Sequence, residues 1–173
     1  FLNSGGMAHY YNTVNLDPGS ALMGGGTLWL NTSVYLRTDL FTTAAVNFFG
    51  GFLSCTDTMR TWSGPGVLNW TEGTLYGGLT RAAGTYTTLD GADAKVFADG
   101  AEFINEGTVN WTGTGNLHAP CLTGTGAIVR NRGQWTANGG ADFVRLSAGL
   151  EANFHNESGA TFTNINVLTT LTN

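Results

Sequence analysis

Four carboxylates crowd one short stretch of the chain: Asp90, Asp93, Asp99 and Glu102. Acidic groups this close could ligate calcium through oxygen, or act as general acid and base on a glycosidic bond. Asp90 and Asp93 are the calcium candidates, though their spacing matches no calcium-loop signature. Asp90-Gly91 also fits a solvated turn, in which the carboxylates hold nothing. Three histidines, His9, His118 and His155, stand 109 and 37 residues apart, without paired-ligand spacing. Cys121 lies three residues from His118, but no second pair completes a zinc site. No serine occupies a nucleophile elbow, and no glycine loop is set to cradle phosphate. The residues predict a non-enzymatic protein without a cofactor.

Tryptophans are the other candidates for a site. Trp29, Trp62, Trp70, Trp111 and Trp135 could form a platform for sugars, or stack inside the fold and bury their large rings. Their recurrence favours stacking for most of them. Trp62 lies in Asp57–Gly66, which breaks the rhythm of the chain and predicts a longer loop, so Trp62 is the candidate for ligand binding. Threonine pairs such as Thr85/Thr87, Thr112/Thr114 and Thr161/Thr163 fall at different offsets, so they do not predict one flat ice-binding array.

The elements that must position these residues follow from a repeat. Phe103-Ile104-Asn105-Glu106-Gly107 is echoed by Val129-Arg130-Asn131-Arg132-Gly133 and by Phe154-His155-Asn156-Glu157-Ser158-Gly159. The asparagines are 26 and 25 residues apart, and a large aromatic follows each: Trp111, Trp135 and Phe162. A period of this length without helical periodicity predicts one coil of a β-solenoid. In a strand, Phe103 and Asn105 share one face while Ile104 and Glu106 share the other. Stacked asparagines can form an amide ladder, because each side chain both donates and accepts. Gly107, Gly133 and Gly159 would supply the left-handed backbone of a sharp corner. Earlier members of the column are Arg81, Ser54, Asn31 and Asn3, giving a mean spacing of 25.5 over the 153 residues from Asn3 to Asn156. That predicts an all-β parallel solenoid of about seven coils, roughly 25 residues each. Residues 1–173 form a single domain, with less regular coils over 1–66 and regular ones over 67–173. On this register Cys55 and Cys121 lie on different parts of coils roughly 10–14 Å apart. That is too far for an intrachain disulfide, so the thiols are predicted free or paired with another chain.

Composition narrows the class. Charged residues are only 11 % of the chain, so neutral Thr, Asn, Ser and Gly must cover much of the surface. Seven basic against twelve acidic residues leave no basic stripe for nucleic acid. No apolar run is long enough for a membrane helix. Such a surface predicts an extracellular protein, with Phe1 opening a processed form, a fragment or an expressed segment.

The stretches Val67-Leu68-Asn69-Trp70-Thr71-Glu72-Gly73-Thr74-Leu75 and Phe103-Ile104-Asn105-Glu106-Gly107-Thr108-Val109-Asn110-Trp111-Thr112-Gly113 resemble repeats of large bacterial secreted surface proteins. They are similar to the filamentous-haemagglutinin and autotransporter-passenger class, over about residues 67–162. The resemblance implies a right-handed parallel β-helix serving as adhesin, stalk or filament, and carries no site residues with it. The open strand edges of such a helix predict association end to end, with a second copy or with the rest of a longer parent chain. Surface glycans are the further partner, through a carbohydrate-binding adhesin module. A β-helix polysaccharide lyase or hydrolase built on Asp90, Asp93 and Asp99 is a third reading, which the scarcity of Lys and Arg opposes.

Overall fold

A computed structural model describes residues 5–98, 100–119, 126–139, 143–145 and 153–164. Each coil contributes three strand segments in chain order. The first coil holds β1 (Met7–Tyr10), β2 (Val14–Leu16) and β3 (Ala21–Leu22), the second β4 (Thr27–Leu30), β5 (Val34–Leu36) and β6 (Leu40–Thr42). Two long, bent strands, β7 (Ala45–Ser63) and β8 (Val67–Arg81), each supply a whole coil. Then follow β9 (Tyr86–Leu89), β10 (Lys95–Phe97) and β11 (Glu102–Asn105), and next β12 (Thr108–Trp111), β13 (Leu117–Ala119) and β14 (Ile128–Asn131). The seventh coil is β15 (Gln134–Ala137), β16 (Phe143–Arg145) and β17 (Asn153–Asn156), with β18 (Thr161–Asn164) opening another. Every strand pairs in parallel with its counterparts one coil away, for example β9 with β8 and β12. The chain is therefore a parallel β-solenoid, and no helix occurs among the described residues.

Coil length is not constant. On the first side the register partner lies 20 residues on from Met7 and 18 from Thr27. It lies 22 on from Val46 and 19 from Val67. Only later does the step widen, to 26 from Thr108 and 27 from Gln134. The period of about 25 thus describes the last coils, whereas the early ones turn corners with fewer residues. This shifts the early register. Leu40, Trp62, Arg81, Asn105, Asn131 and Asn156 share one column on the third side. Ser54 instead pairs with Tyr35 and Tyr76 on the second side, and Asn31 is exposed after β4.

Alternation does the rest. In β4 the pattern Thr-Leu-Trp-Leu buries both leucines and half-buries the residues between them. Inside, ring packs against ring along the core, within a coil and between neighbouring coils. Phe48–Trp70, Trp70–Phe97, Phe97–Phe103, Phe103–Trp135 and Trp135–Phe154 have centroids 6.1, 5.6, 5.8, 6.3 and 5.1 Å apart. Burying each aromatic contributes ~1.5–3 kcal/mol, and tilted or edge-on contacts add to that.

The segment expected to loop out behaves differently. β7 runs through to Ser63 and takes up its extra residues as a bulge: Cys55 pairs with Gly77, but Arg60 already pairs with Leu79. Beyond the bulge, Trp62 points inward and is only 2 % exposed. Its apolar ring is drawn into the column between Leu40 and Arg81, which corrects its assignment as an exposed ligand-binding residue.

Candidate functional site

The third side ends in a column of amides. Asn105 Nδ2 donates to Asn131 Oδ1 at 2.8 Å and to the Gln134 carbonyl at 2.9 Å. Asn131 Nδ2 repeats this one coil on, to Asn156 Oδ1 at 2.7 Å and the Thr161 carbonyl at 2.9 Å. Both amide hydrogens of each residue are thus used, one along the ladder and one to fix the strand beyond the corner. Asn105 and Asn131 are fully buried, so each bond replaces hydration that would otherwise be lost; net gains are ~1 kcal/mol per bond. Asn156 stands exposed at the ladder's end and bonds the Ala160 carbonyl. Asn3 lies outside the described residues.

Arg81 holds the preceding position and is also fully buried. Its Nε donates to Thr87 Oγ1 at 2.9 Å and a terminal nitrogen to the Tyr86 carbonyl at 3.0 Å. The guanidinium lies 5.0 Å from the Trp62 ring centroid, a cation–π contact. Loss of hydration pulls its pKa down to about 9. The column is legible in the sequence down to Arg81; the burial of that cation is not.

The corner after this column is a groove crossing several coils, with a volume of about 350 Å³. Glycines at 84, 107, 133 and 159 line it, with Thr108, Gln134 and Thr161 along one wall and Glu106 and Arg132 on the other. The glycines serve two purposes. Gly159 does adopt the left-handed backbone, at φ 85°. Gly107 and Gly133 do not, contrary to the corner role expected of them: they are required by close approach. A Cβ on Gly107 would strike the Thr85 carbonyl oxygen, and one on Gly133 the Gly107 carbonyl oxygen.

Along the charged wall of the groove and beside it, acidic and basic residues alternate by coil, Glu106, Arg132 and Glu157 in turn. Arg130 Nε meets Glu102 at 2.7 Å, and Arg132 Nε meets Glu157 at 2.9 Å. Longer contacts join Arg130 to Glu157 at 3.5 Å and Arg132 to Glu106 at 3.7 Å. The hydrogen bond from Arg132, then the two positive charges, hold the Glu157 carboxyl below the usual carboxylate range.

The acidic candidates sit apart from this corner. Asp90 and Asp93 are exposed beside the turn between β9 and β10, and Asp90 Oδ1 accepts from Thr112 Oγ1 at 3.3 Å. Lys95 brings its own cation there: Nζ donates to the Asp93 carbonyl at 2.8 Å. Burial lowers the Lys95 pKa, while Asp90, Asp93 and Glu72 pull it back up. No group of three His, Cys, Asp or Glu side chains suited to a metal occurs among the described residues. Asp99 and Cys121 lie outside them; Cys55 is buried in the core. His9 stacks on Trp29 at 5.5 Å in the first coils, far along the chain from His118 and His155. Trp70, Trp111 and Trp135 are buried like Trp62, and only Trp29 is half-buried.

This fold and corner define the class, a parallel β-solenoid with an internal asparagine ladder. No family model, no curated protein and no solved structure matches the chain. The solenoid therefore stands on its strand pairing, and the likeness to bacterial surface-protein repeats on the repeat phrases alone.

Proposed function

We propose that this is a non-enzymatic structural protein of the cell surface or extracellular matrix, a segment of a filament, stalk or adhesin that associates end to end with a second copy. One observation carries the reading: among the described residues the core is open at its two ends. The half-buried apolar side chains that pack on the core all lie in terminal coils, Ala8, Val14 and Leu22 at one end, Phe154 and Phe162 at the other. A recess of about 280 Å³ at the first end is lined by Val14, Leu16, Leu22, Leu28 and Leu30 among others. Among the described residues β1 pairs only with β4, and β18 only with β15. An unpaired parallel edge beside open apolar surface is a template for another coil, and head-to-tail contacts between ends grow as open filaments. The low charge of the surface supports an extracellular setting.

Sedimentation velocity over a wide concentration range, with electron microscopy of the same samples, tests this. Rods that lengthen with concentration, and shorten when Leu22 is replaced by Lys, are expected. A single monomeric species at every concentration would overturn the reading.

A further inference from the structure

We infer that the glycine-lined corner groove, with the first side of the solenoid beside it, binds an uncharged polysaccharide chain lying along the solenoid axis. Tyr86, Thr108, Gln134 and Thr161 stand in register on four successive coils. They form a continuous rank, about 14 Å from first to last at ~4.8 Å per coil; Thr108, Gln134 and Thr161 line the groove and Tyr86 continues the rank one coil beyond it. The floor has no side chains to obstruct a ligand, and packing keeps it so, because a Cβ at Gly107 or Gly133 would strike backbone.

The chemistry of the walls selects the ligand. Thr88, Thr108, Asn110 and Gln134 present uncharged polar side chains here, Asn110 and Gln134 exposed and the two threonines half-buried. Hydroxyls and amides of this kind both donate and accept, as sugar hydroxyls do. The outward positions of β9, β12, β15 and β18 carry no charge. On the opposite wall Glu106 and Arg132 face each other at 3.7 Å, so that their charges offset. A neutral ligand suits such a site; a polyanion finds no surplus of positive charge. Tyr86, 52 % exposed, adds an aromatic face at one end of the rank, on which an apolar sugar face can stack. The volume falls at the lower end of the range for small-ligand sites, ~300–1,000 Å³, enough for a short run of sugar units. This site lies on a side of the solenoid, so it does not depend on what the ends contact.

Affinity electrophoresis of the full chain tests the inference, in gels containing hydroxyethylcellulose, arabinoxylan or galactomannan, with polygalacturonate as the acidic comparison. At least one neutral polymer is expected to retard the protein. Tyr86→Ala and Gln134→Ala should each weaken that retardation about three- to tenfold. Tyr86→Phe, which keeps the ring, should retain most of it, and Tyr76→Ala, exposed on the second side, should leave it unchanged. All of these substitutions are at the surface, and circular dichroism confirms that the variants fold. Failure of every neutral polymer to retard the protein, retardation by polygalacturonate alone, or full retardation of both Tyr86→Ala and Gln134→Ala would each overturn the inference.

Discussion

Asn105 sits in register with Arg81 one coil away, and each buries a polar atom that meets no partner: Oδ1 of Asn105 and one terminal nitrogen of Arg81. The ladder explains the first. Its amides all donate in one direction, from Asn105 towards Asn156, so the acceptor at its start needs a donor from the preceding coil. Arg81 carries donors, but Tyr86, Thr87 and the Trp62 ring hold its guanidinium. The ladder therefore begins at a buried cation with one hydrogen-bonding nitrogen to spare.

Interrupting the ladder at its centre should cost more than trimming its end. Asn131→Ala removes the bonds to Asn105, Asn156 and the Thr161 carbonyl, and is expected to destabilise the fold by about 2–3 kcal/mol. Asn156→Ala acts at an exposed position and should cost under about 1 kcal/mol. Urea midpoints of the two variants give the comparison; equal losses would remove the ladder as a buried, cooperative element.

Arg81 predicts an alkaline gain in stability. Below about pH 9 the guanidinium is charged both folded and unfolded, and its burial penalty is constant. Above that the folded chain releases the proton first, the unfolded state binds more protons, and stability from this group rises with pH. Urea denaturation at about pH 8 and about pH 11 should show the native protein gaining relative to Arg81→Met. A pH-independent difference between the two would contradict this.

Acid should loosen the last coils first. With the Glu157 carboxyl held low by Arg132 and Arg130, its contribution is present above the usual carboxylate range and is lost as pH falls through the folded value. Hydrogen-exchange protection factors in β14 and β17, from which the intrinsic pH dependence of exchange is divided out, should fall between about pH 6 and pH 3 in the native protein, and change less in Glu157→Gln. High salt should flatten the same response, because these charges are open to solvent.

Two kinds of corner glycine should respond differently to a methyl group. At Gly133 an added Cβ meets the Gly107 carbonyl, so Gly133→Ala must push successive coils apart, at about 1–3 kcal/mol. At Gly84 nothing lies within 4 Å, and Gly84→Ala costs only the left-handed backbone at φ 79°, about 1–2 kcal/mol. Asn is tolerated in that conformation, so Gly84→Asn should recover stability while Gly133→Asn should not; thermal melts of the four variants decide it.

Much of the corner is legible in the sequence. The phrases around Asn105, Asn131 and Asn156 identify the column, and Arg81, 24 residues before Asn105, belongs to it as the spacing predicts. Extending the same step further back leads to Ser54 and Asn31, which lie elsewhere, because the early coils advance by only 18–22 residues. Trp62 escapes the pattern for a related reason. An irregular stretch of sequence looks like a loop, yet a bulge absorbs it and the ring turns inward.

The sequence by itself determined the solenoid. Alternating faces, β-favouring residues and, in the last coils, a recurring Asn-to-Gly phrase are local patterns, legible without knowing which strands pair. Tertiary structure alone decided which residues share a column, that Gly107 and Gly133 serve close packing, and that Thr108, Gln134 and Thr161 line one groove with Tyr86 in register beyond them. Those relationships join residues 19–27 positions apart through corners of unequal length. Only the hydrogen-bonded register of neighbouring coils measures such corners, and a slip of one residue would turn every outward side chain inward.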